Sequence, residues 1–337
     1  MREEYHVTQL QLRDPRERER LTAFLLENHL TYEDNIQTAF AVLDENDTLS
    51  ACGCAAGPLL KCFAVTPELR GQNALGPLVS ALVQERFAAG FYELFLITRS
   101  CNEGMFSNCG FFPVVRTQQL VLLENRMNGP QVFTAPMGGP EDVGKTVGAV
   151  VMNCNPFTLG HQALVEFAAS QCDILHLFVV EEDRSCFPTH VRLRLVQEGT
   201  AHLPNVRVHL SGHYMISLAT FPTYFLKEGE DAAALQSALD ITLFAQCIAP
   251  ELHITKRFAG QEPLDPTTNC YNQTMKGILP QFGIECCEIP RICSGNEVIS
   301  ASRVRRLLRE KGLCQEVLAL VPETTGRYLQ TEFKRIQ

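Results

Sequence analysis

An excess of basic charge is missing from this sequence: 29 lysines and arginines stand against 38 aspartates and glutamates, a formal net charge of −9 at pH 7. A surface that neutralises nucleic-acid phosphates needs the opposite balance, so that class of function is excluded. Long apolar runs are missing too. None approaches the roughly 20 consecutive residues of a membrane span, and the opening MREEYHVTQLQLRDPRERER lacks an apolar core of signal-peptide length. No membrane association is expected, and the expected location is cytoplasmic. CxxC pairs and matching histidine spacings are also absent. The fourteen cysteines lie scattered through apolar runs, as at Cys247, Cys286 and Cys287, and are expected to be reduced core thiols. Cys52 and Cys54 with Cys62 come nearest to a thiolate cluster but lack the partners a metal needs, so no protein-held metal is expected. Internal repeats and low-complexity tracts are not found.

What is present is enough apolar chain for two cores, since 337 residues at 45% hydrophobic content exceed the usual size of one domain. The stretch from Glu124 to Thr146, ENRMNGPQVFTAPMGGPEDVGKT, is rich in glycine and proline and shows neither helical nor alternating periodicity. It places a linker at 126–146, between a domain at 1–125 and a domain at 147–337.

In the first domain, Asp14 and Pro15 read as the N-cap and first turn of a helix reaching about Asn28. Strand-like runs follow at TAFAVLD, TLSACGCAAG and LLKCFAV, then a helix from about Leu75 to Ala89, the strand ELFLIT, a short helix at Asn102 to Asn108, and the strands FFPVV and QLVLL. This order, with Val65-Thr66-Pro67-Glu68-Leu69-Arg70-Gly71-Gln72 and Met105-Phe106-Ser107-Asn108-Cys109-Gly110-Phe111, resembles the acetyltransferase fold called GNAT. In that family the backbone amides of an Arg/Gln-x-x-Gly-x-Gly loop hold the pyrophosphate of coenzyme A at a helix N-terminus. Here the loop Arg70-Gly71-Gln72-Asn73-Ala74-Leu75-Gly76 is one residue too long and lacks the middle glycine. The resemblance implies the fold more than the acetyltransferase activity.

In the second domain apolar runs alternate with helical segments: VGAVVM, a helix from His161, ILHLFVV, a helix from about His190, VRVHL, a helix around Leu235 to Phe244, ELHIT, a helix after Asn269, and IECCEIP. Such alternation predicts parallel strands joined by helices, with a ligand site at the carboxyl ends of the strands. The expected fold class is therefore α/β, a Rossmann-like parallel sheet preceded by an α+β GNAT-like domain. Gly139 to Thr146, GPEDVGKT, matches the Walker A letters. Lys145 and Thr146 lead into a strand rather than a helix, however, and Glu141 and Asp142 would repel phosphate, so it is read as a coincidence.

The chemistry is carried by two helix beginnings. Immediately after VGAVVM comes Asn153-Cys154-Asn155-Pro156-Phe157-Thr158-Leu159-Gly160-His161, a strand, a tight turn and a helix start. Gly160 allows close approach of an anion to the backbone, the helix N-terminus offers free amides, and His161 and Thr158 add a ring donor and a hydroxyl. Far downstream, Ile299-Ser300-Ala301-Ser302-Arg303-Val304-Arg305 opens another helix, with Ser300 as N-cap and Ser302 and Arg305 on one face. The planar fork of Arg305 suits the β and γ phosphates of a nucleotide.

In order, these segments resemble the (H/T)xGH and ISxTxxR signatures of the nucleotidylyltransferase superfamily, with Thr158 at the first position. The resemblance implies in-line attack on the α-phosphate of ATP, His161 stabilising the transition state, Arg305, Ser300 and Ser302 holding the leaving pyrophosphate, and Mg²⁺ screening its charge. Asn155, Pro156, Phe157 and Gly160 are carried with the first motif. Lys256, Arg257 and Gly260, following ELHIT at an expected strand carboxyl end, are second-rank nucleotide contacts. The segments NCNPFTLGHQALVEFAA, SGHYMISLATFPTYFLK, KRFAGQEPLDPTTNCYNQTMKGILPQFGIECCEIPR and VISASRVRRLL further resemble the [citrate (pro-3S)-lyase] ligases. That likeness implies acetate as the acid and acetyl adenylate as the intermediate. It implies, as acceptor, the phosphoribosyl-dephospho-coenzyme A arm of the citrate lyase acyl carrier subunit. An adenylyltransferase acting on a phosphate-bearing small molecule would share every phosphate motif, and a GNAT-type acetyltransferase is the other alternative.

Overall fold

The computed structural model describes residues 6–181, 185–215, 221–262, 265–294 and 297–332. The chain divides into two compact units, residues 1–129 with 221–235, and residues 130–220 with 236–337. The first unit contains β1 (Val7–Gln9), α1 (Pro15–Glu27), β2 (Thr38–Leu43), β3 (Leu49–Ala56), β4 (Leu59–Val65), α2 (Leu75–Ala88), β5 (Phe95–Arg99), α3 (Glu103–Ser107), β6 (Phe112–Arg116) and β7 (Leu120–Glu124). Helix α1 starts where the sequence predicts: the Asp14 carboxylate accepts from the Arg16 amide at 2.9 Å, and Pro15 has no amide to leave unsatisfied. Its Leu21, Phe24 and Leu25 are buried, the three-four spacing of one apolar face.

The sheet order is β1-β2-β3-β4-β5-β7-β6. All neighbours are antiparallel except β4 and β5, which pair in parallel only through Leu59↔Phe95 and Leu60↔Leu96. Beyond those pairs the strands diverge, leaving main-chain groups that need other partners. Segment 221–235, expected from the sequence inside the second domain, belongs to this unit and supplies them. The buried Tyr224 hydroxyl donates to Ile97 O on β5 at 3.4 Å and accepts from the Cys62 backbone on β4. The Thr31 amide bonds Tyr224 O at 2.9 Å, the Glu33 carboxylate accepts from the Thr223 amide at 2.7 Å, and Arg99 donates to Phe225 O at 3.2 Å. Sequence contiguity could not reveal this return, because its polar partners lie about 125 to 190 residues upstream. Cys52, Cys54 and Cys62 are buried free thiols. Hydrogen bonds with Cys52 and Cys62, and then burial, hold the Cys54 thiol well above its ordinary range and therefore protonated.

The second unit contains α4 (Gly129–Thr134), β8 (Val147–Met152), α5 (Leu159–Ser170), β9 (Ile174–Val179), α6 (Thr189–Thr200), β10 (Val206–Leu210), α7 (Ala232–Leu243), β11 (Ile254–Gly260), α8 (Pro266–Ile278), β12 (Glu285–Ile289), β13 (Cys293–Ser294), β14 (Glu297–Val298), α9 (Ala301–Lys311), α10 (Gln315–Leu318) and α11 (Glu323–Glu332), with the first residues of α7 in the first unit. Its main sheet, ordered β10-β9-β8-β11-β12, is parallel throughout, as the alternation of strands and helices predicts. Val150, Leu175, Leu177, Phe258, Val165, Leu195, Val304 and Leu308 are buried in one core between sheet and helices.

Several boundaries differ from those read in the sequence. The stretch expected as linker carries α4 and a turn at Pro140–Asp142. Asp142, 1% exposed, accepts from Arg207 of β10 at 3.0 Å, which fixes this segment to the sheet. ELHIT is not the strand: Glu251–His253 form a turn, with His253 at φ +56°, and the strand starts at Ile254 and runs on through Gly260. Helix α8 begins at Pro266, ahead of the predicted Asn269, because Asp265 caps it by accepting from the Thr267 amide at 3.1 Å. The Walker-like letters precede β8 and open no helix. Among the described residues no helix is long and apolar enough to cross a membrane, and no group of three or more histidines, cysteines or carboxylates is arranged to hold a metal ion.

Candidate active site

Strand β8 ends at Met152, and the chain reaches α5 through residues 153–158. Two buried side chains anchor this turn. Phe157 is 0% exposed, a burial that stabilises the turn by about 2 to 3 kcal/mol. Its ring lies against Gly199 of α6, where an added Cβ would stand 2.5 Å from it. Pro156, joined to Asn155 by a cis peptide bond, is buried as well. Both residues were expected as nucleotide contacts. The structure corrects this, since side chains committed to the core leave no surface for a ligand. The Asn155 side chain is likewise engaged, accepting from the Phe187 amide at 3.0 Å. From the C-terminal helices, Thr325 donates to Phe157 O at 3.0 Å, and Leu320 O accepts from the Leu159 amide at 3.0 Å.

Thr158 is the N-cap of α5, its hydroxyl facing the His161 amide at 3.4 Å. The cap is reciprocal: the Thr158 amide donates to His161 Nδ1 at 3.1 Å, and the hydroxyl stands 3.0 Å from the same nitrogen. With Nδ1 accepting, the neutral ring carries its proton on Nε2 and presents a donor on its other edge. The imidazole also stacks on Phe157, ring centroids 5.9 Å apart. Burial first, then the positive charges of Arg291 and Arg305, push its pKa down to about 4, so the half-buried ring is neutral at pH 7.

The second helix beginning meets the first. An added Cβ at Gly160 would stand 3.0 Å from Ile299 O, so glycine lets α5 start this close to Ile299, the residue before the N-cap of α9, without strain. Ser300 caps α9 by accepting from the Arg303 amide at 3.1 Å. Arg305, half-buried, reaches back to donate from Nη1 to Asn155 O, and its Nη2 bonds the exposed Ser302 hydroxyl at 3.3 Å. Thr158, Gly160, His161, Ser300, Ser302, Arg305 and the Asn155 backbone therefore converge at the carboxyl ends of the parallel strands. Two helix N-termini, the hydroxyls of Ser300 and Ser302, a neutral ring donor and a guanidinium form a cradle suited to a polyanion, with the buried Thr158 holding the ring.

Lys256 and Arg257 do not join them. Both lie inside β11 rather than beyond it, and Lys256 sits in register with Gly148 near the amino end of β8. Lys256 pairs with Glu285 at 3.6 Å, while Arg257, 4% exposed, lies over the Phe244 ring at 4.1 Å. Their expected nucleotide role rested on the misplaced strand end and is withdrawn. Gly260 does reach the carboxyl end: its carbonyl accepts from Asn272 at 3.0 Å, and an added Cβ there would meet nothing within 4 Å.

Arg192 and Arg291 were not legible as site residues. Arg192, 0% exposed, donates to Asn153 O at 2.8 Å, Val180 O at 2.6 Å and Phe187 O at 3.0 Å, tying the turn after β8 to the end of β9. In HVRLRLV it resembles any solvated arginine of an amphipathic helix, and only the packing shows its burial. Arg291 follows β12 and bonds Gln261 O through Nε at 2.6 Å.

Residues 147–329 match the family model described as the citrate lyase ligase C-terminal domain. The chain is similar to a [Citrate [pro-3S]-lyase] ligase of Klebsiella pneumoniae, with 42% identity over 323 residues that cover 94% of each chain. The Escherichia coli K12 protein of the same name is 38% identical over 92% of this chain and 89% of its own. That of Haemophilus influenzae is 37% identical over 92% of this chain and 94% of its own. Identity of this degree over more than nine-tenths of the chain, with the family match to residues 147–329, places the chain in the [citrate (pro-3S)-lyase] ligase family.

Proposed function

We propose that this enzyme uses ATP to acetylate the thiol of the phosphoribosyl-dephospho-coenzyme A arm on the citrate lyase acyl carrier subunit, and so activates citrate lyase. A carboxylate oxygen of acetate attacks the α-phosphorus in line, the bond to the bridging oxygen of the β-phosphate breaks, and pyrophosphate leaves. The arm's thiol then attacks the acetyl carbonyl of acetyl adenylate, gives its proton to solvent and releases AMP. No covalent enzyme intermediate is required, so catalysis consists of placing two anions against each other and stabilising the charge that develops.

The chain's own groups divide this work. His161 Nε2–H donates to the α-phosphate oxygen on which charge builds. Being neutral at rest, the ring needs no deprotonation to hold that donor in place. Arg305, aligned by Asn155 O and Ser302, takes the leaving pyrophosphate together with the N-termini of α5 and α9 and the hydroxyls of Ser300 and Ser302. Mg²⁺ would be carried on the nucleotide phosphates and screen their charge. Gly260 leaves open space at the end of β11 for close approach of the nucleotide. The enzyme works in the cytoplasm, where free thiols such as Cys52, Cys54 and Cys62 stay reduced.

The observation that carries this reading is the junction of the two helix beginnings, Gly160 against Ile299 O and Arg305 on Asn155 O. ATP–pyrophosphate exchange by the purified protein tests it. Exchange is expected to require acetate and to proceed without the carrier. Exchange that ignores acetate but responds to a phosphate-bearing acceptor would replace this reading with an adenylyltransferase.

A further inference from the structure

The carboxyl end of the parallel sheet holds a cation outside both phosphate motifs. Arg291 lies two residues beyond Ile289, the last residue of the edge strand β12. Its backbone leads directly into the second motif. Ile292 O accepts from the Ile299 amide at 3.1 Å, and Ile299 O is the group packed against Gly160. The guanidinium is aimed from the neighbouring strand: Nε donates to Gln261 O at 2.6 Å, Nη2 pairs with the Glu262 carboxylate, and the Gln261 amide bonds Ile289 O at 2.8 Å. Arg291 thus spans the ends of β11 and β12, at the same carboxyl edge of the sheet as the turn that carries His161.

An ion pair that merely joined two strand ends could bury both of its charges. This one leaves its guanidinium the more open member, and Arg291 is one of the two positive charges that bear on the His161 ring. The Glu262 side chain is 9% exposed and that of Arg291 27%, so the carboxylate is the withdrawn member and the guanidinium the more accessible one. A cation held this way, whose charge bears together with that of Arg305 on a neutral ring donor, has the chemistry of an anion clamp.

We propose that Arg291 binds the ATP phosphates, with Glu262 holding its fork in alignment, so that the nucleotide is gripped from the β12 end as well as from α9. This rests on the nucleotide site described above and adds to it a contact that neither phosphate motif contains.

Titration of Mg-ATP into the full-length protein, followed by calorimetry, tests the proposal. Arg291→Gln should raise the ATP Kd roughly tenfold to a hundredfold, as for a lost charge-assisted hydrogen bond, and Arg291→Lys should recover part of that loss. The acetate KM should stay near wild type. Because Arg291→Gln leaves Glu262 without its counter-charge, the double variant Glu262→Gln with Arg291→Gln serves as the decisive one. It removes the stranded carboxylate and should bind ATP as weakly as the single variant. ATP binding restored to the wild-type level in the double variant would reduce Arg291 to a counter-ion for Glu262 and overturn the proposal. So would an unchanged ATP Kd with a raised acetate KM. Failure of the wild-type protein to bind ATP would instead remove the nucleotide site itself, and the proposal with it.

Discussion

After β4 of the first unit the chain reaches a helix through Arg70–Ala74, and after β8 of the second it reaches one through Asn153–Thr158. The two connections solve the same problem of turning from strand into helix, yet they leave different groups at the helix start. Helix α2 begins at Ala74 with no side-chain cap, and the Arg70 side chain turns back to donate to Val65 O at 3.2 Å. Helix α5 begins at a threonine and a histidine that cap each other, and it meets a second capped helix whose arginine reaches its turn. The difference also extends to where each sheet opens. The parting of β4 and β5 is filled by the chain's own Tyr224, whereas the carboxyl ends of β8, β11 and β12 gather two capped helix starts, a ring donor and two guanidiniums. A helix N-terminus is therefore a site only where side chains and neighbouring elements make it one.

Removing the ring donor should separate the units most sharply. His161→Ala is expected to lower turnover in acetate-dependent pyrophosphate exchange by about 10² to 10³, with a smaller change in ATP affinity, as for other lost charge-stabilising donors. The matching change in the first unit, Arg70→Ala, should leave exchange unaltered. Equal losses from both would erase the contrast. Next in size, Arg305→Lys keeps the charge but loses the fork, and exchange at limiting ATP should fall roughly tenfold. An activity equal to wild type would show that charge alone suffices there.

A smaller effect is expected where the first unit is closed. Tyr224→Phe removes a hydroxyl bonded to both diverging strands and should cost about 1 kcal/mol of stability in denaturant unfolding, while exchange stays unchanged. Loss of exchange in that variant at full stability would give the first unit a part in adenylate formation.

The last test vanishes at neutral pH and grows in acid. His176 and His209 face each other across β9 and β10, their ring nitrogens 3.0 Å apart. Burial, then the His209 and Arg207 charges, push His176 down to about 3, and burial, then Arg207, pushes His209 down to about 4. An unfolded imidazole titrates near 6.5, so between that value and the folded ones the unfolded chain binds more protons. Stability is then complete above about pH 6.5 and declines as pH falls toward 3. His176→Asn should flatten the dependence of the denaturation midpoint on pH across that window. An unchanged slope would assign the acid lability to other groups.

Much of the fold was legible because local signals agreed with one another. Asp14 and Pro15 marked α1, the alternation of apolar runs marked a parallel sheet, and the spacing of Thr158, Gly160 and His161 and of Ser300, Ser302 and Arg305 marked both helix beginnings. Lys256 and Arg257 misled because ELHIT has the composition of a strand, while the pairing of Lys256 and Arg257 with Gly148 and Ala149 decides where the strand runs. Pro156 and Phe157 belong to the motif but serve the core. A sequence pattern records that residues occur together, and only packing shows which of them face a ligand.

By itself, then, the sequence determined where the two capped helix starts lie, because capping and glycine geometry act within a few residues. Tertiary structure decided the rest. It brought Arg305 to a carbonyl 150 positions earlier in the chain, buried Arg192 beneath the turn, tied Arg291 to the end of the neighbouring strand, and returned Tyr224 to the first sheet. Each depends on contacts between residues far apart in sequence, whose energy comes from shared burial and mutual hydrogen bonding that no short stretch of chain contains.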